Sequence, residues 1–431
     1  MNTPIFDFVK SYSQSETARL HMPGHKGVSF LGFESLDITE ITGADALYKS
    51  DGIIAESEKN ATSLFGSVAT FYSAGGSSQS IKAMLALAKN GRKNFTVLAA
   101  RNVHKSFIYA CALLGIKVRW LFDENNNFSL CRCKVSAEYL EAELKKECAD
   151  AVYITSPDYL GGMNDIKSLA DVAHRYGALM LVDNAHGAYL HFLEKSLHPI
   201  DLGADMCCDS AHKTLPVLTG GAYLHINNKM FVNSAKSALE MFGSTSPSYL
   251  ILQSLDLCNA YLADGYKNML AECVTNVTKL RIALAVNGWK SVDSDPLKLT
   301  VLTTGTDFSD RLRKYGIECE YEDPDYTVMM FTPETDVSVY ESVLTAAGKC
   351  DSEISESVLE FRKPEKFCEI EDAMFSESEY ISTENAVGRV VADTAVGCPP
   401  AVSVLVSGEI VTESSVEIMK YYGITSIKVK K

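Results

Sequence analysis

Leu181-Val182-Asp183-Asn184-Ala185-His186-Gly187 and, with its lysine thirty residues beyond the first aspartate, Cys208-Asp209-Ser210-Ala211-His212-Lys213-Thr214 are the stretches that decide the fold. The first reads as an apolar strand that ends by delivering an aspartate; the second reads as a strand that ends by delivering a lysine among polar residues. Similar runs lie on either side. Residues 95–99, 118–122, 151–155, 179–183, 205–208 and 222–226 read as strands, and 77–89, 105–114, 137–146 and 166–176 as helices with apolar residues three and four apart. Short apolar runs alternating with amphipathic helices over about 67–227 predict an α/β core with a mostly parallel, doubly wound sheet.

Beyond the core, 249–286 reads as one long helical stretch, and Gly288-Trp289 opens a region of mixed signals. Within it, 299–303, 308–315 and 328–331 read as strand, helix and strand, so a smaller C-terminal α/β domain is expected. Around 363–380 the pattern weakens into a charged, irregular segment. The expected divisions are an N-terminal segment 1–66, a large domain 67–288 and a small domain 289–431.

Composition narrows the function classes. The chain has 431 residues with 46% hydrophobic content, enough for a large core and two or three domains. The start Met1-Asn2-Thr3-Pro4 lacks the basic-then-apolar layout of a signal peptide, and no apolar run approaches the roughly 18 residues of a membrane span. No membrane partner is expected, and the expected location is cytoplasmic. The twelve cysteines are scattered without zinc-site spacing, so reduced buried thiols and no metal centre are expected. A formal charge of −15 disfavours nucleic acid as a partner and is compatible with cationic substrates.

Several strand ends carry polar groups suited to one ligand. Ser73-Ala74-Gly75-Gly76-Ser77-Ser78-Gln79 precedes an amphipathic helix, where glycines let the backbone approach a ligand and N–H groups and hydroxyls bind an anion. Arg101-Asn102-Val103-His104-Lys105-Ser106 follows the strand at 95–99, and Thr155-Ser156-Pro157-Asp158-Tyr159 follows the next. Ligands of open α/β sheets bind at that carboxyl edge. Each feature has an ordinary alternative: a serine helix cap, a capping histidine, a turn-forming aspartate, a surface lysine. What favours chemistry is their succession, which offers phosphate donors at Gly76, Ser77 and Ser78, a ring to stack at His104, a carboxylate at Asp183 and an amine at Lys213. That set suits pyridoxal phosphate, with Asp183 keeping the pyridine nitrogen protonated and Lys213 bonding the aldehyde.

These residues together resemble the ornithine, lysine and arginine decarboxylase family of fold type I pyridoxal-phosphate enzymes. The likeness extends through Leu20-His21-Met22-Pro23-Gly24-His25-Lys26-Gly27, Gly43-Ala44-Asp45-Ala46-Leu47, Ser244-Thr245-Ser246-Pro247 and Ser407-Gly408-Glu409. The resemblance implies that Lys213 is the Schiff-base lysine, that Asp183 pairs with the pyridine nitrogen and that His104 stacks on the ring. It further implies that Ser77, Ser78, Ser210 and His212 hold the phosphate, with His186 beside the cofactor and Ser246 supplied by a neighbouring subunit. A homodimer with shared active sites follows from the same resemblance, with 1–66 contributing to both. The implied reaction is decarboxylation of a basic amino acid to its amine, arginine slightly ahead of lysine and ornithine, in polyamine synthesis or acid resistance. Glu409, or Asp45 of a partner subunit, is expected to receive the distal cation of the substrate.

The chain departs from the family pattern at four places. Asn184 stands where Glu usually follows the cofactor aspartate, Asp158 where Thr is usual, and Cys398-Pro399-Pro400-Ala401 where Tyr-Pro-Pro-Gly is usual. No N-terminal wing domain is expected, because His21 lies so near the start, and assembly into decamers through it is not expected either. An aminotransferase or lyase on the same fold, and a cofactor-binding pseudoenzyme, are the competing readings.

Overall fold

The structure is a computed structural model that describes residues 1–124, 129–350, 354, 357, 359–394 and 400–431. The chain divides into two compact units, one of residues 1–91 and 179–269 and the other of residues 92–178 and 270–431.

In the first unit four strands lie side by side in the order Ala69–Ser73, Ala222–Ile226, Met206–Asp209, Leu179–Asp183. The outer two partners of Ala222–Ile226 both run antiparallel to it, so they share a direction with each other; Leu179–Asp183 is parallel to Met206–Asp209, with Asp183 opposite Cys208. Three strands therefore end at the same edge, at Ser73, Asp183 and Asp209. Leu181, Val182, Met206, Cys207, Leu224 and Ile226 are fully buried, as expected of strands covered on both faces. The helix Gly76–Lys89 follows the first strand and buries Ile81, Met84 and Leu85.

The strand Ala69–Ser73 and the helices Pro4–Ser13 and Ile53–Phe65 of this unit have no counterpart among the runs read from sequence; Ile53–Phe65 packs on the strand and Pro4–Ser13 on Ile53–Phe65. Asp256 fixes the first of those helices, its carboxylate accepting from the N–H groups of Ile5 and Phe6 at 2.9 and 3.0 Å. The expected long helix at 249–286 is two helices, Tyr249–Ala263 and Tyr266–Val286, because Gly265 takes φ +76 between them.

The second unit holds three parallel strands in the order Ala151–Thr155, Thr96–Ala100, Lys117–Leu121, with the helices Lys105–Leu114, Ala137–Lys146 and Ile166–Arg175. It also holds an antiparallel sheet of Lys298–Leu302, Tyr326–Met330 and Tyr321–Glu322, as the small α/β domain required. Within the stretch expected to be irregular, Ile370–Met374 is helical and Ser378–Ser382 pairs antiparallel with Ser426–Lys430. Among the described residues no helix is long and apolar enough to cross a membrane.

Candidate active site

The edge where three strands of the first unit end carries Ser77, Asp183, Ser210 and Lys213 of the predicted set, while His104 lies in the second unit. Ser73 closes its strand and accepts the Gly75 N–H at 3.3 Å while donating to the Gly76 carbonyl at 3.0 Å, which folds the Ser73–Gly76 turn. Gly76 adopts φ +70, a conformation that suits glycine, and its N–H donates to the Gly220 carbonyl at 2.8 Å. The helix Gly76–Lys89 starts there, so Ser77 and Ser78 occupy its first turn, at the positive end of a fourteen-residue helix. From the end of the strand Met206–Asp209, the buried Ser210 hydroxyl donates to Ser77 Oγ at 2.7 Å. Two hydroxyls from different strand ends thus meet at one helix N-terminus, the donor set that a phosphate monoester needs.

Asp183, 2% exposed, sits at the end of its strand. Its Oδ1 accepts the Ala185 N–H at 3.2 Å and lies 3.7 Å from the Cys208 thiol. Lys213 lies one helical turn beyond Ser210, its N–H bonded to the Ser210 carbonyl at 2.9 Å, and its Nζ reaches His186 Nε2 at 2.9 Å. His212 is oriented by its Nδ1–H, which donates to the Gly221 carbonyl at 3.0 Å. Ser246, expected from a neighbouring subunit, is exposed, and its N–H bonds to Ser244 Oγ at 3.1 Å. Gly76, Ser77, Asp183, His186, Ser210 and Lys213 therefore share one strand edge of one unit. The phosphate donors, the buried carboxylate and the lysine amine match the phosphate, ring nitrogen and aldehyde of pyridoxal phosphate in chemical kind.

His104 belongs to the second unit, where its Nδ1 accepts the Ser106 N–H at 3.1 Å and caps the helix Lys105–Leu114. Asp158 is buried there, and burial pushes its carboxyl up to about 6 although Gly162 N–H donates to it at 2.7 Å. Cys398 and Pro399 lie outside the described residues; Ala401, at the usual glycine position, takes φ +57.

Both residues expected to receive the substrate cation are otherwise engaged. Glu409 is held bidentately by Arg101, at 2.8 and 2.7 Å, and its Oε2 also accepts the Val406 N–H at 2.8 Å. Both side chains are 6% exposed, and the guanidinium lies 4.9 Å from the Trp120 ring centre. Asp45 spends its carboxylate on backbone. Oδ1 accepts from Ala46 and Asp51, Oδ2 from Gly52, Ile54 and Ala55, which organises the turn before the helix Ile53–Phe65. A carboxylate has about four lone-pair sites; Asp45 already accepts from five N–H groups, and Glu409 accepts from three donors with its charge paired to Arg101.

Sequence reasoning also passed over a buried cluster beneath Lys213. Asp209 is fully buried; its Oδ2 accepts from Nε2 of His198 and of His225, each at 3.0 Å, and its Oδ1 from Asn184 Nδ2 at 2.7 Å. Burial alone would raise this carboxyl, but the two imidazoles outweigh it and hold the group below the usual carboxylate range. The available signal was an acid closing an otherwise apolar strand.

Fold and site together define a fold type I pyridoxal-phosphate enzyme. The family model described as Orn/Lys/Arg decarboxylase, major domain, matches residues 3–294, and that of the family's C-terminal domain matches 363–428. The chain belongs to the Orn/Lys/Arg decarboxylase family, and its class is that of the pyridoxal-phosphate-dependent amino acid decarboxylases. It is 29% identical to the uncharacterized protein YaaO of Bacillus subtilis, with 97% of this chain and 93% of that one aligned. It is 28% identical to the arginine decarboxylase of Bacillus anthracis over 97% and 92% of the two chains. Among solved structures, lysine decarboxylase A from Pseudomonas aeruginosa superposes with a TM-score of 0.82 at 18% identity, covering 99% of this chain and 80% of that one, a likeness of fold.

Proposed function

We propose that this chain decarboxylates arginine, using pyridoxal phosphate held at the edge formed by Ser73, Asp183 and Asp209. The observation that carries the proposal is the approach of Lys213 Nζ to His186 at 2.9 Å, beside the buried Asp183 and the Ser77–Ser210 hydroxyl pair, in one compact unit. Arginine is preferred over lysine and ornithine because the alignment with an arginine decarboxylase runs nearly end to end.

The cofactor supplies an electron sink for the pair left at the α-carbon when carbon dioxide departs. In this proposal Asp183, anionic and desolvated, holds a proton on the ring nitrogen. Lys213 provides the amine that bonds the aldehyde and later carries a proton near the α-carbon, with His186 orienting it. Ser77, Ser78, Ser210 and His212 would hold the phosphate beside the turn at Gly76, with His104 proposed to stack on the ring and Ser246 of a second copy to complete the phosphate site.

A cytoplasmic homodimer and a place in polyamine synthesis belong to the same proposal, as do the divisions 1–66, 67–288 and 289–431. Support for a second copy comes from an apolar run in the N-terminal segment that this chain leaves uncovered: Leu20, Phe30 and Leu31 are 94%, 77% and 76% exposed.

The test is carbon dioxide release by the purified protein with pyridoxal phosphate and arginine, lysine or ornithine in turn. Arginine should react fastest, and Lys213→Ala should lose both turnover and the visible absorbance of the bound cofactor. No carbon dioxide from any of the three would refute the proposal.

A further inference from the structure

The cluster beneath Lys213 has no part in the roles assigned so far, yet it joins the two strand ends that carry Asp183 and Lys213. Asn184 follows Asp183 directly; its N–H donates to the Cys208 carbonyl at 3.0 Å and its side-chain amide to Asp209 at 2.7 Å. Asp209 is followed by Ser210, which touches Ser77, and then by Lys213 four residues on. From the other side, His198 and His225 donate to Asp209. His198 Nδ1 accepts the Ile200 N–H at 3.4 Å, which leaves Nε2–H for the carboxylate, and His225 presents Nε2–H because the carboxylate only accepts, its Nδ1 lying 2.8 Å from the Thr70 hydroxyl. Phe65 packs against both rings at 5.7 and 4.5 Å between centres. Burial lowers the His225 pKa, which keeps that imidazole neutral. The cluster is therefore a buried anion with three donors.

We propose that Asp209 is a positioning residue for the cofactor site: its carboxylate fixes the Asp183 strand end against the Lys213 strand end, with the acid placed at 209 rather than at 184, where the family pattern puts it. The inference rests on the cofactor assignment above. It makes Asn184, a departure from the family pattern, one half of a matched amide–carboxylate pair with Asp209, and the matching yields a sharp chemical prediction. In Asp209→Asn, the new amide oxygen faces the two histidine N–H groups and its NH₂ meets Asn184, whose amide must flip to present Oδ1 and so buries its own NH₂ without an acceptor. In Asn184→Asp, two carboxylates face each other. In the exchange variant Asn184→Asp/Asp209→Asn, the oxygen at 209 accepts from both histidines and its NH₂ donates to the new carboxylate, so each hydrogen bond of the network is remade with one direction reversed. Asn184 Oδ1 has no hydrogen-bond partner in the structure, so the second oxygen of Asp at 184 lacks a donor and the recovery is incomplete.

The experiment titrates wild type and the three variants with pyridoxal phosphate, following the visible absorbance of the bound cofactor, with circular dichroism and thermal unfolding measured alongside. Each single variant should bind the cofactor at least about tenfold more weakly while keeping the wild-type dichroism at the assay temperature, and the exchange should return to within about fivefold of wild type. If Asp209→Asn does not fold, tighter binding by the exchange than by Asn184→Asp carries the same support. Cofactor affinity unchanged in the single variants, with only the melting temperature lowered, would reduce Asp209 to a structural residue and overturn the proposal. An exchange variant no better than Asn184→Asp would also overturn it. Ligand atoms of His198, Cys207 and Asp209 lie within 4.8 Å of one another, so one bound metal ion per chain by elemental analysis of the wild type would replace this hydrogen-bonded network and overturn the inference. Wild type that binds no pyridoxal phosphate overturns the cofactor assignment itself and the inference with it.

Discussion

Glu409→Gln separates a structural carboxylate from a substrate-binding one. In the native chain Glu409 and Arg101 form a buried bidentate pair at 2.7 and 2.8 Å, linking residues 308 positions apart. Glutamine keeps one acceptor but removes the countercharge. Unit charges roughly 4 Å apart at an effective dielectric near 20 attract by about 4 kcal/mol. Measured losses on breaking one side of a buried pair run to about 3–5 kcal/mol, because the remaining guanidinium stays desolvated without a partner. The variant should therefore unfold at much lower urea concentration, with a folding equilibrium weakened by at least about a hundredfold. Trp120, whose ring centre is 4.9 Å from the guanidinium, provides a local fluorescence probe. Replacing both partners, in Arg101→Met/Glu409→Met, should recover much of the loss, since a well-packed apolar pair avoids the desolvation of two ions. The KM for arginine should change little in Glu409→Gln at temperatures where it stays folded. Stability within about 1 kcal/mol of wild type together with a KM raised tenfold would refute this account and return Glu409 to the substrate site.

Two other predictions concern departures from the family pattern. Asp158 has a folded-state pKa near 6, above its ordinary value, so its contribution to stability is complete below about pH 4 and is lost as pH rises through 6. Relative to wild type, Asp158→Asn should gain up to about 2–3 kcal/mol in urea unfolding between pH 4 and pH 7; a pH-independent difference would show that the carboxyl is not strained by burial. Ala401→Gly should stabilise the protein by about 1 kcal/mol, because alanine holds φ +57 there at a steric cost that glycine avoids; a thermal midpoint that falls would contradict this.

Most of the parallel core was legible because its strands are apolar runs buried on both faces. The strand Ala69–Ser73 was hidden because its polar residues are buried through specific partners: Thr70 bonds His225 at 2.8 Å and Ser73 bonds Gln79 at 2.7 Å. Such partners come from other elements and leave no periodicity in the strand itself. The break at Gly265 was readable from Asp264-Gly265, a turn pair inside an otherwise helical pattern. In the site, His186 and Lys213 could be picked out because each lies just beyond a strand end. The partners of Glu409 and Asp45 were not legible because a carboxylate reads the same in sequence whether it faces water, a substrate or an arginine 308 residues away.

That ambiguity has a physical root with a bearing on the substrate. Asp45, Asp209 and Glu409 look like capacity for a cation when the chain is read as a row of charges, and the overall −15 encourages that view. Each is instead engaged by the protein: five backbone N–H groups around Asp45, two imidazoles and an amide around Asp209, a guanidinium and an N–H around Glu409. An acid withdrawn from water must find such donors or lose its charge, so burial selects carboxylates that are already engaged. A group that receives the distal cation of arginine has to satisfy the opposite condition, keeping lone pairs in reserve until substrate arrives. The acceptor should accordingly be sought among carboxylates with fewer protein donors, and those of a second copy, in the shared-site dimer proposed above, are the first to test.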